Sequence, residues 1–275
     1  MSEVAVKSRR RGGRLARQAI RSAPLAEDKR AIRPGLESGS YKVLDDLQIK
    51  RIHTAVLDVL ENIGMADAIP SCIEAVTAVG GVMKDNGRLT SPRALVEDTL
   101  AKANRDVVLY GQDPKHDMEL KGSKTYFGTA GAAVHMVDAQ TGQYRESTTQ
   151  DLYDIARMVD KLDNIHFFQR SVVCRDLADP FDMDFHTCYA SVSGTTKHVG
   201  SSWVEPQHLE KSFEMLHMIA GGEKKWRERP FVSMSNCFVV PPLKFAEDAC
   251  KCLEVAVRGG MPVLLLSAGQ AGATS

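Results

Sequence analysis

The sequence predicts an α/β protein: the first half of a (β/α)8 TIM-type barrel, preceded by a small α+β cap. Strand-like and helix-like segments alternate from residue 148 onward, and the strand-like segments are almost continuously apolar. Such runs are typical of parallel strands that are covered on both faces. Between residues 41 and 147 the elements are shorter and lack this repeat. We therefore divide the chain into a basic arm (1–40), a cap (41–147) and a half barrel (148–275).

Four strand–helix repeats make up the predicted half barrel. The pattern predicts strands over 165–174, 198–204, 231–238 and 261–267, and helices over 149–161, 182–192, 206–220 and 243–258. A complete barrel takes about 250 residues by itself, so four repeats are half of one. Half a barrel leaves two open apolar edges, and the final Thr274 and Ser275 are good helix N-caps. We expect a truncated sequence; the alternative is a four-strand unit completed by dimerisation.

Helix caps and turn residues predict the elements of the cap. Asp45 begins a helix that ends at Gly64, and Ser91-Pro92 begins another that runs to residue 103. The turn 85–87 (Asp-Asn-Gly) lies between two short strands and is typical of a hairpin. The remaining predicted elements are a helix over 71–79, strands over 107–110 and 118–127, and a hairpin of 134–137 with Tyr144.

The net charge of the chain is zero, but the charge is unevenly distributed. Residues 1–33 hold ten Lys or Arg and three Asp or Glu, which gives this segment +7. Such an arm can bind nucleic acid or an acidic partner, but no aromatic residues lie among its charges. We therefore expect a solvated tail that contacts its own protein or a second subunit, without nucleic-acid binding. The composition of the arm also resembles that of a mitochondrial transit peptide. Of these two interpretations, we prefer a basic arm of a bacterial protein.

Composition argues against membrane spans, disulfides and metal sites. The longest apolar run, 261–266, has the length of a strand, so we expect no membrane segment. The six cysteines include no CxxC pair, which favours a reducing compartment, and we expect a cytoplasmic protein. His186 and Cys188 are two residues apart, a spacing that points to different faces of a helix, and we expect no metal site.

An ordered series of segments resembles the corrinoid-dependent trimethylamine methyltransferase family. The series consists of 127–131 (FGTAG), 137–142 (VDAQTG), 148–152 (TTQDL), 162–165 (LDNI), 236–243 (NCFVVPPL), 261–263 (MPV) and 269–274 (GQAGAT). No single segment is diagnostic, but their order is. The resemblance covers nearly the whole chain and about half of a family member.

The resemblance implies an enzyme that moves a methyl group from a methylated amine to the Co(I) corrinoid of a partner protein. This chain would bind no cofactor, because the cobalamin belongs to the corrinoid protein. Trimethylamine-specific members carry pyrrolysine in a region beyond residue 275, whereas members without it act on quaternary amines such as glycine betaine. We also expect a homo-oligomer. The alternatives are an inactive fragment that binds quaternary amines and a related zinc-dependent barrel methyltransferase.

The ends of the predicted strands offer residues that suit such a substrate. The leaving group from a quaternary ammonium is a neutral tertiary amine, so positioning and desolvation matter more than acid catalysis, and no catalytic residue is assigned. A barrel places its site at the carboxyl ends of its strands. The predicted substrate-binding residues are Phe127, Arg175, Trp203, Glu205, Asn236, Phe238 and Gln270.

Trp203, Phe238 and Glu205 are the residues predicted to bind the ammonium group. Trp203 and Phe238 are either aromatic walls around the cation or members of the core behind the strands. Glu205 is either the counter-charge or a cap for the helix that begins at Pro206. If the strand persists to Glu205, Trp203 and Glu205 share one face, because residues two apart on a strand point the same way.

The other four residues are predicted to bind the rest of the substrate or to cover it. Arg175 either holds a substrate carboxylate through two hydrogen bonds or pairs with Asp176 at the surface. Asn236 and Gln270 donate hydrogen bonds to the substrate. Phe127, in the cap, covers the mouth of the site.

Overall fold

The structure is a computed structural model that describes residues 13–26 and 29–267. The chain divides into two compact units, Met1–Arg33 and Pro34–Ser275. Within the first unit, helix α1 (Arg14–Ser22) begins after Gly13, and the Ala23 N–H donates to Ala19 O at its end. No described helix in either unit is long and apolar enough to cross a membrane.

The cap elements of the second unit follow the predicted capping and turn signals. Helix α2 (Asp46–Asp58) begins with a capping box in which Asp45 and Gln48 each bond the other's backbone N–H, at 2.7 and 2.9 Å. A π-helical turn (Val59–Ile63) extends α2 to Gly64, whose φ of +76° suits glycine. The other helical elements of the cap are α3 (Pro70–Thr77), α4 (Arg93–Lys102) and a 3-10 turn (Pro114–His116).

Short antiparallel strand pairs make up the rest of the cap. The predicted hairpins are confirmed, while the strand expected over 118–127 is two short strands. The pairs are β1 (Leu36–Glu37) with β7 (Lys124–Thr125), β2 (Met65–Ala66) with β4 (Arg88–Thr90), β3 (Val82–Met83) with β4, β5 (Val107–Leu109) with β6 (Met118–Leu120), and β8 (His135–Val137) with β9 (Tyr144–Glu146).

From Thr149 onward, helices alternate with parallel strands. The elements are α5 (Thr149–Asp160), β10 (Phe167–Gln169), α6 (Pro180–Gly194), β11 (His198–Ser201), α7 (Pro206–Ala220), α8 (Glu223–Glu228), β12 (Val232–Val240), β13 (Lys244–Phe245), α9 (Glu247–Arg258) and β14 (Val263–Ser267). Strands β10, β11, β12 and β14 are neighbours in chain order, and each pair is parallel. The predicted α/β class is confirmed. The described strands do not close on themselves, so the complete barrel stays a prediction.

Two predicted elements differ from the structure because other strands compete for their residues. The helix expected from residue 243 begins only at Glu247, since β13 turns back and pairs antiparallel with β12. Strand β13 also pairs with β2, which joins the cap to the parallel strands. The strand expected over 165–174 is regular only at β10, and Val172 bridges instead to Ala133 of the cap.

The core lies between the parallel strands and the helices. Phe168, Val199 and Val232 are completely buried there, together with Leu209 and Leu216 of α7. Burial of side chains of this size stabilises the fold by about 1.5–3 kcal/mol each. The sheet is therefore anchored through one face to its helices.

A buried lysine closes the end of α5. Lys197 is 2% exposed, and its Nζ donates to the carbonyl oxygens of Val159, Leu162 and Ile165 at 2.7, 2.8 and 2.5 Å. These carbonyls lie at the end of the helix and in the following turn, and those of Val159 and Leu162 also accept the backbone N–H groups of Leu162 and Ile165. One ammonium group thus satisfies three acceptors and ties the α5–β10 connection to β11.

Candidate functional site

A cavity of about 600 Å³ lies at the carboxyl ends of the parallel strands, and we name it the strand-end cavity. Cap residues at 129–131 form one wall, and the ends of all four parallel strands contribute to the others. Its lining includes Thr129, Gly131, Phe167, Gln169, Arg170, Ser202, Trp203, Ser235, Asn236, Cys237, Leu264 and Leu266. Parallel α/β folds bind ligands at this end of their strands.

A hydrogen bond across three strands forms part of the cavity surface. Gln169 Nε2 of β10 donates to Ser235 Oγ of β12 at 3.2 Å. The intervening β11 carries Gly200, where an added Cβ would overlap Gln169 Oε1. Glycine at this position therefore allows the Gln169 side chain to cross β11 and reach Ser235.

Arg170 is the only charged residue among the described residues that line the strand-end cavity. It follows β10 directly and is partly buried, and its backbone N–H donates to Gly200 O at 3.0 Å. Burial lowers the pKa of Arg170, and the nearby Asp184 carboxylate opposes that shift. A guanidinium remains protonated over the physiological pH range, so Arg170 contributes a positive charge to the cavity.

Trp203 lines the cavity but also belongs to the core. It is 7% exposed, and its Nε1 donates to Ser212 Oγ of α7 at 2.9 Å. Strand β11 ends at Ser201 rather than at residue 204, so the condition that the strand persists to Glu205 is not met. Glu205 precedes α7 with a side chain that is 52% exposed and lies 3.8 Å from His208 Nε2. The structure therefore does not bring the Trp203 and Glu205 side chains together in this cavity.

Asn236 and Phe238 lie in two different cavities. Asn236 is 4% exposed and lines the strand-end cavity, and its Nδ2 donates to Ala249 O at 2.8 Å. Phe238 stacks on Phe245 with ring centroids 6.1 Å apart and lines a separate cavity of about 400 Å³ beside α9. The two residues are thus separated, although they are two positions apart on one strand.

Two other predicted site residues, Arg175 and Phe127, lie outside the lining of the strand-end cavity. Arg175 Nη2 pairs with Glu146 Oε1 at 3.0 Å rather than with Asp176. Phe127 is 47% exposed, and its ring lies 6.0 Å from that of His166. Gln270 lies outside the described residues.

Sequence reasoning missed Gln169, Arg170, Gly200 and Ser235. A signal was present, because Gln169 and Arg170 interrupt an apolar run that begins at Phe167. A buried strand that carries polar residues at its carboxyl end indicates a binding surface. The partners on β11 and β12 depend on strand register, which the sequence alone does not show.

A second cavity of about 710 Å³ lies against the same strands nearer their amino ends. His198 lines it together with Phe167, Gln169 and Ser233. The His198 Nδ1 lies 2.8 Å from Tyr110 O, which assigns the proton to Nδ1 because a carbonyl can only accept. Burial lowers the pKa of His198 to about 4, so the ring is neutral at physiological pH.

No group of three or more His, Cys, Asp or Glu side chains that could hold a metal ion occurs in residues 13–26 and 29–267. Burial raises the pKa of the Cys188 and Cys252 thiols to about 12. Zinc binds the thiolate form of cysteine, which this burial disfavours.

Comparison with known proteins finds similarity to methyltransferases. The family model described as trimethylamine methyltransferase (MTTB) matches residues 10–275. Trimethylamine methyltransferase MttB of Desulfitobacterium hafniense (strain DSM 10664 / DCB-2) is 32% identical over 84% of this chain and 46% of its own length. Trimethylamine methyltransferase MttB1 of Methanosarcina mazei is 29% identical over 83% of this chain and 47% of its own length.

A relative with another substrate in its name also matches. The glycine betaine methyltransferase of Desulfitobacterium hafniense (strain Y51) is 24% identical over 85% of this chain and 48% of its own length. The chain thus spans about half the length of each of these relatives. Because the family model matches almost every residue, the chain belongs to the trimethylamine methyltransferase (MTTB) family.

Proposed function

We propose that this chain is part of an enzyme that transfers a methyl group from a methylated amine to the Co(I) corrinoid of a partner protein. The observation that carries the proposal is the strand-end cavity, which lies where α/β enzymes bind their substrates. The chain that forms this cavity belongs to the trimethylamine methyltransferase (MTTB) family. The names of the relatives supply the class of donor, a tertiary or quaternary methylated amine.

The residues of the cavity serve to bind and orient the donor. In the proposed reaction the C–N bond would break with its electron pair left on nitrogen, and the partner's corrinoid would supply the nucleophile that accepts the methyl group. A quaternary donor leaves as a neutral amine, so the protein has to hold the methyl carbon in line and keep water out. Phe167 and Trp203 line the cavity, and each aromatic contact with a cation contributes about 0.5–2 kcal/mol.

The proposal extends to the partner and the setting of the enzyme. The chain itself would bind no cofactor, because the corrinoid belongs to the partner protein, and the enzyme would work as a homo-oligomer in the cytoplasm. The polar lining of Gln169 and Ser235 offers hydrogen bonds to a donor that carries polar groups. The zinc-dependent alternative has no supporting observation among the described residues.

The test is a methyl-transfer assay with the intact protein that contains this chain. A purified partner corrinoid protein, reduced to Co(I), is mixed with trimethylamine, glycine betaine, choline and longer betaines in turn. We expect the absorbance of the methylated corrinoid to grow with one of these amines. Absence of growth with every amine, using a corrinoid protein that a known family member methylates, would overturn the proposal.

A variant at Gly200 links the activity to the strand-end cavity. Gly200→Val places a side chain where Gln169 crosses β11, so we expect kcat/KM to fall at least about tenfold. Arg157→Gln, on an exposed part of α5, is the matched control and should keep full activity. Equal activity of the Gly200 variant and the wild type would place the reaction elsewhere in the protein.

A further inference from the structure

Arg170 lines the strand-end cavity, and its side chain makes no hydrogen bond or ion pair in the described part of the chain. The side chains of residues 13–26 and 29–267 make no hydrogen bond, ion pair or ring contact with it, and it is partly buried. Taking an arginine out of water costs free energy unless an anion or hydrogen-bond acceptors replace the lost water. An anionic ligand bound in the cavity would offset that cost for Arg170.

The nearest described carboxylate offsets only part of that cost. Asp184 is 2% exposed, and its Oδ2 accepts from the Val204 N–H and from His208 Nδ1, both at 2.8 Å. It influences Arg170 through space, but no oxygen of Asp184 lies within the 4.0 Å of an ion pair with the guanidinium. Asp184 thus moderates the positive charge and leaves the guanidinium donors unused.

The charge of the cavity also discriminates between donors. Trimethylammonium carries a positive charge and no acceptor, so Arg170 repels it. A betaine carries the same methylated nitrogen together with a carboxylate, and the planar guanidinium can bind that carboxylate with two parallel hydrogen bonds. Among the described lining residues no acidic side chain offsets Arg170 in favour of a bare cation.

Resting on the function proposed above, we propose that Arg170 binds the carboxylate of a betaine-type donor and selects it over trimethylamine. The methylated nitrogen would then lie toward Phe167 and Trp203, which line the same cavity. The sequence suggested Arg175 for this role, but Arg175 already pairs with Glu146 and does not line the cavity. Arg170 is thus a specificity-determining residue of the site.

The test measures binding rather than turnover, so its outcome is independent of methyl transfer. Dissociation constants for glycine betaine and for choline are measured by titration calorimetry on the intact protein. Choline has the same trimethylammonium group but a neutral hydroxymethyl group in place of the carboxylate. The variants are Arg170→Gln, Arg170→Lys, which keeps the charge and loses the planar fork, and Arg157→Gln as the surface control.

We expect Arg170→Gln to raise the Kd of glycine betaine about 10- to 100-fold and to change that of choline less than about threefold. The Kd of glycine betaine for Arg170→Lys should lie between those for the wild type and Arg170→Gln. If Arg170→Gln melts at a lower temperature than the wild type, Arg170→Lys is the variant used for the comparison. A wild type that binds choline as well as glycine betaine, or neither, would overturn the inference, as would equal losses for both ligands in Arg170→Gln. Selective betaine binding without methyl transfer would instead contradict only the proposed reaction, whereas methyl transfer by the wild type from trimethylamine as efficient as from glycine betaine would contradict only this inference.

Discussion

On the face of the parallel sheet that packs against the helices, Phe168, Val199 and Met234 are at most 1% exposed. One residue further along each strand, the opposite face carries Gln169, Gly200 and Ser235, which are polar or have no side chain. The side chains on the helical face are buried by close packing against the helices. The cavity face keeps polar groups in reach of a ligand. Stability and binding are thus assigned to alternate residues of the same strands, and each change below should affect one face more than the other.

Substitution of adjacent residues on β10 should separate the two faces most clearly. Phe168→Ala removes a completely buried ring from the helical face and should lower the free energy of unfolding by about 3–5 kcal/mol. Gln169→Ala removes one side-chain hydrogen bond from the cavity face and should cost about 0.5–1.5 kcal/mol. Urea unfolding of both variants measures the difference. Equal losses would contradict the division of the sheet.

The stability of the protein should fall in acid because of a histidine on the cavity side. The folded-state pKa of His198 is about 4, below the usual 6.5, so the unfolded chain binds a proton that the folded chain excludes. This contribution is complete above pH 6.5 and is lost as the pH falls from 6.5 to 4, by about 3 kcal/mol. Burial lowers the pKa of His116 and His166 as well, which acts in the same direction.

The measurement is urea unfolding at several pH values between 7 and 4 for the wild type and His198→Gln. Glutamine keeps a donor for the Tyr110 carbonyl but does not titrate. The variant should show a smaller loss of stability in acid. An unchanged pH dependence would mean that His198 does not exclude the proton.

Trp203 lies where the two faces meet, and a conservative change should show a small effect. Trp203→Phe keeps an aromatic ring but removes the donor to Ser212, so the free energy of unfolding should fall by about 1 kcal/mol. Affinity for the amine donor should change less than about tenfold, because most of the ring is buried. A large loss of affinity with unchanged stability would mean that donor binding depends on the indole ring itself.

Charged residues outside both faces should have the smallest effects. Glu205 is about half exposed and Arg175 pairs with Glu146 at the surface, and exposed pairs of this kind contribute about 0–1 kcal/mol. Glu205→Gln and Arg175→Gln should each leave donor affinity within about threefold of the wild type. A tenfold loss of donor affinity in Glu205→Gln would mean that Glu205 is the counter-charge of the ammonium group.

Local signals in the sequence predicted much of the fold. The helix predicted over 206–220 is observed as Pro206–Ala220, because Pro206 is the first helical residue and Gly221 ends the helix with a φ of +81°. The capping box at Asp45 and the hairpin around 85–87 follow from equally local chemistry. Strand β13 was missed because its pairing with β2 and β12 joins residues that are far apart in the chain.

The site was predictable only in its location. The rule that ligands bind at the carboxyl ends of parallel strands pointed to Trp203 and Asn236, and both line the strand-end cavity. It also pointed to Glu205 and Phe238, which lie outside the lining because β11 ends early and β12 is irregular between Asn236 and Val239. Strand ends and bulges depend on pairing between strands that are far apart in the chain. The face of the sheet to which a given side chain points could therefore not be predicted from the spacing of residues in the sequence.

The ammonium group of Lys197 is enclosed by carbonyl oxygens and has almost no surface open to solvent. Acylating reagents, which attack amines at the protein surface, should therefore modify this residue only when the connection between α5 and β11 opens. The rate at which Lys197 is labelled, measured by mass spectrometry relative to an exposed residue such as Lys161, therefore measures how often that opening occurs. A single enclosed amine thus reports how often the sheet separates from its first helix.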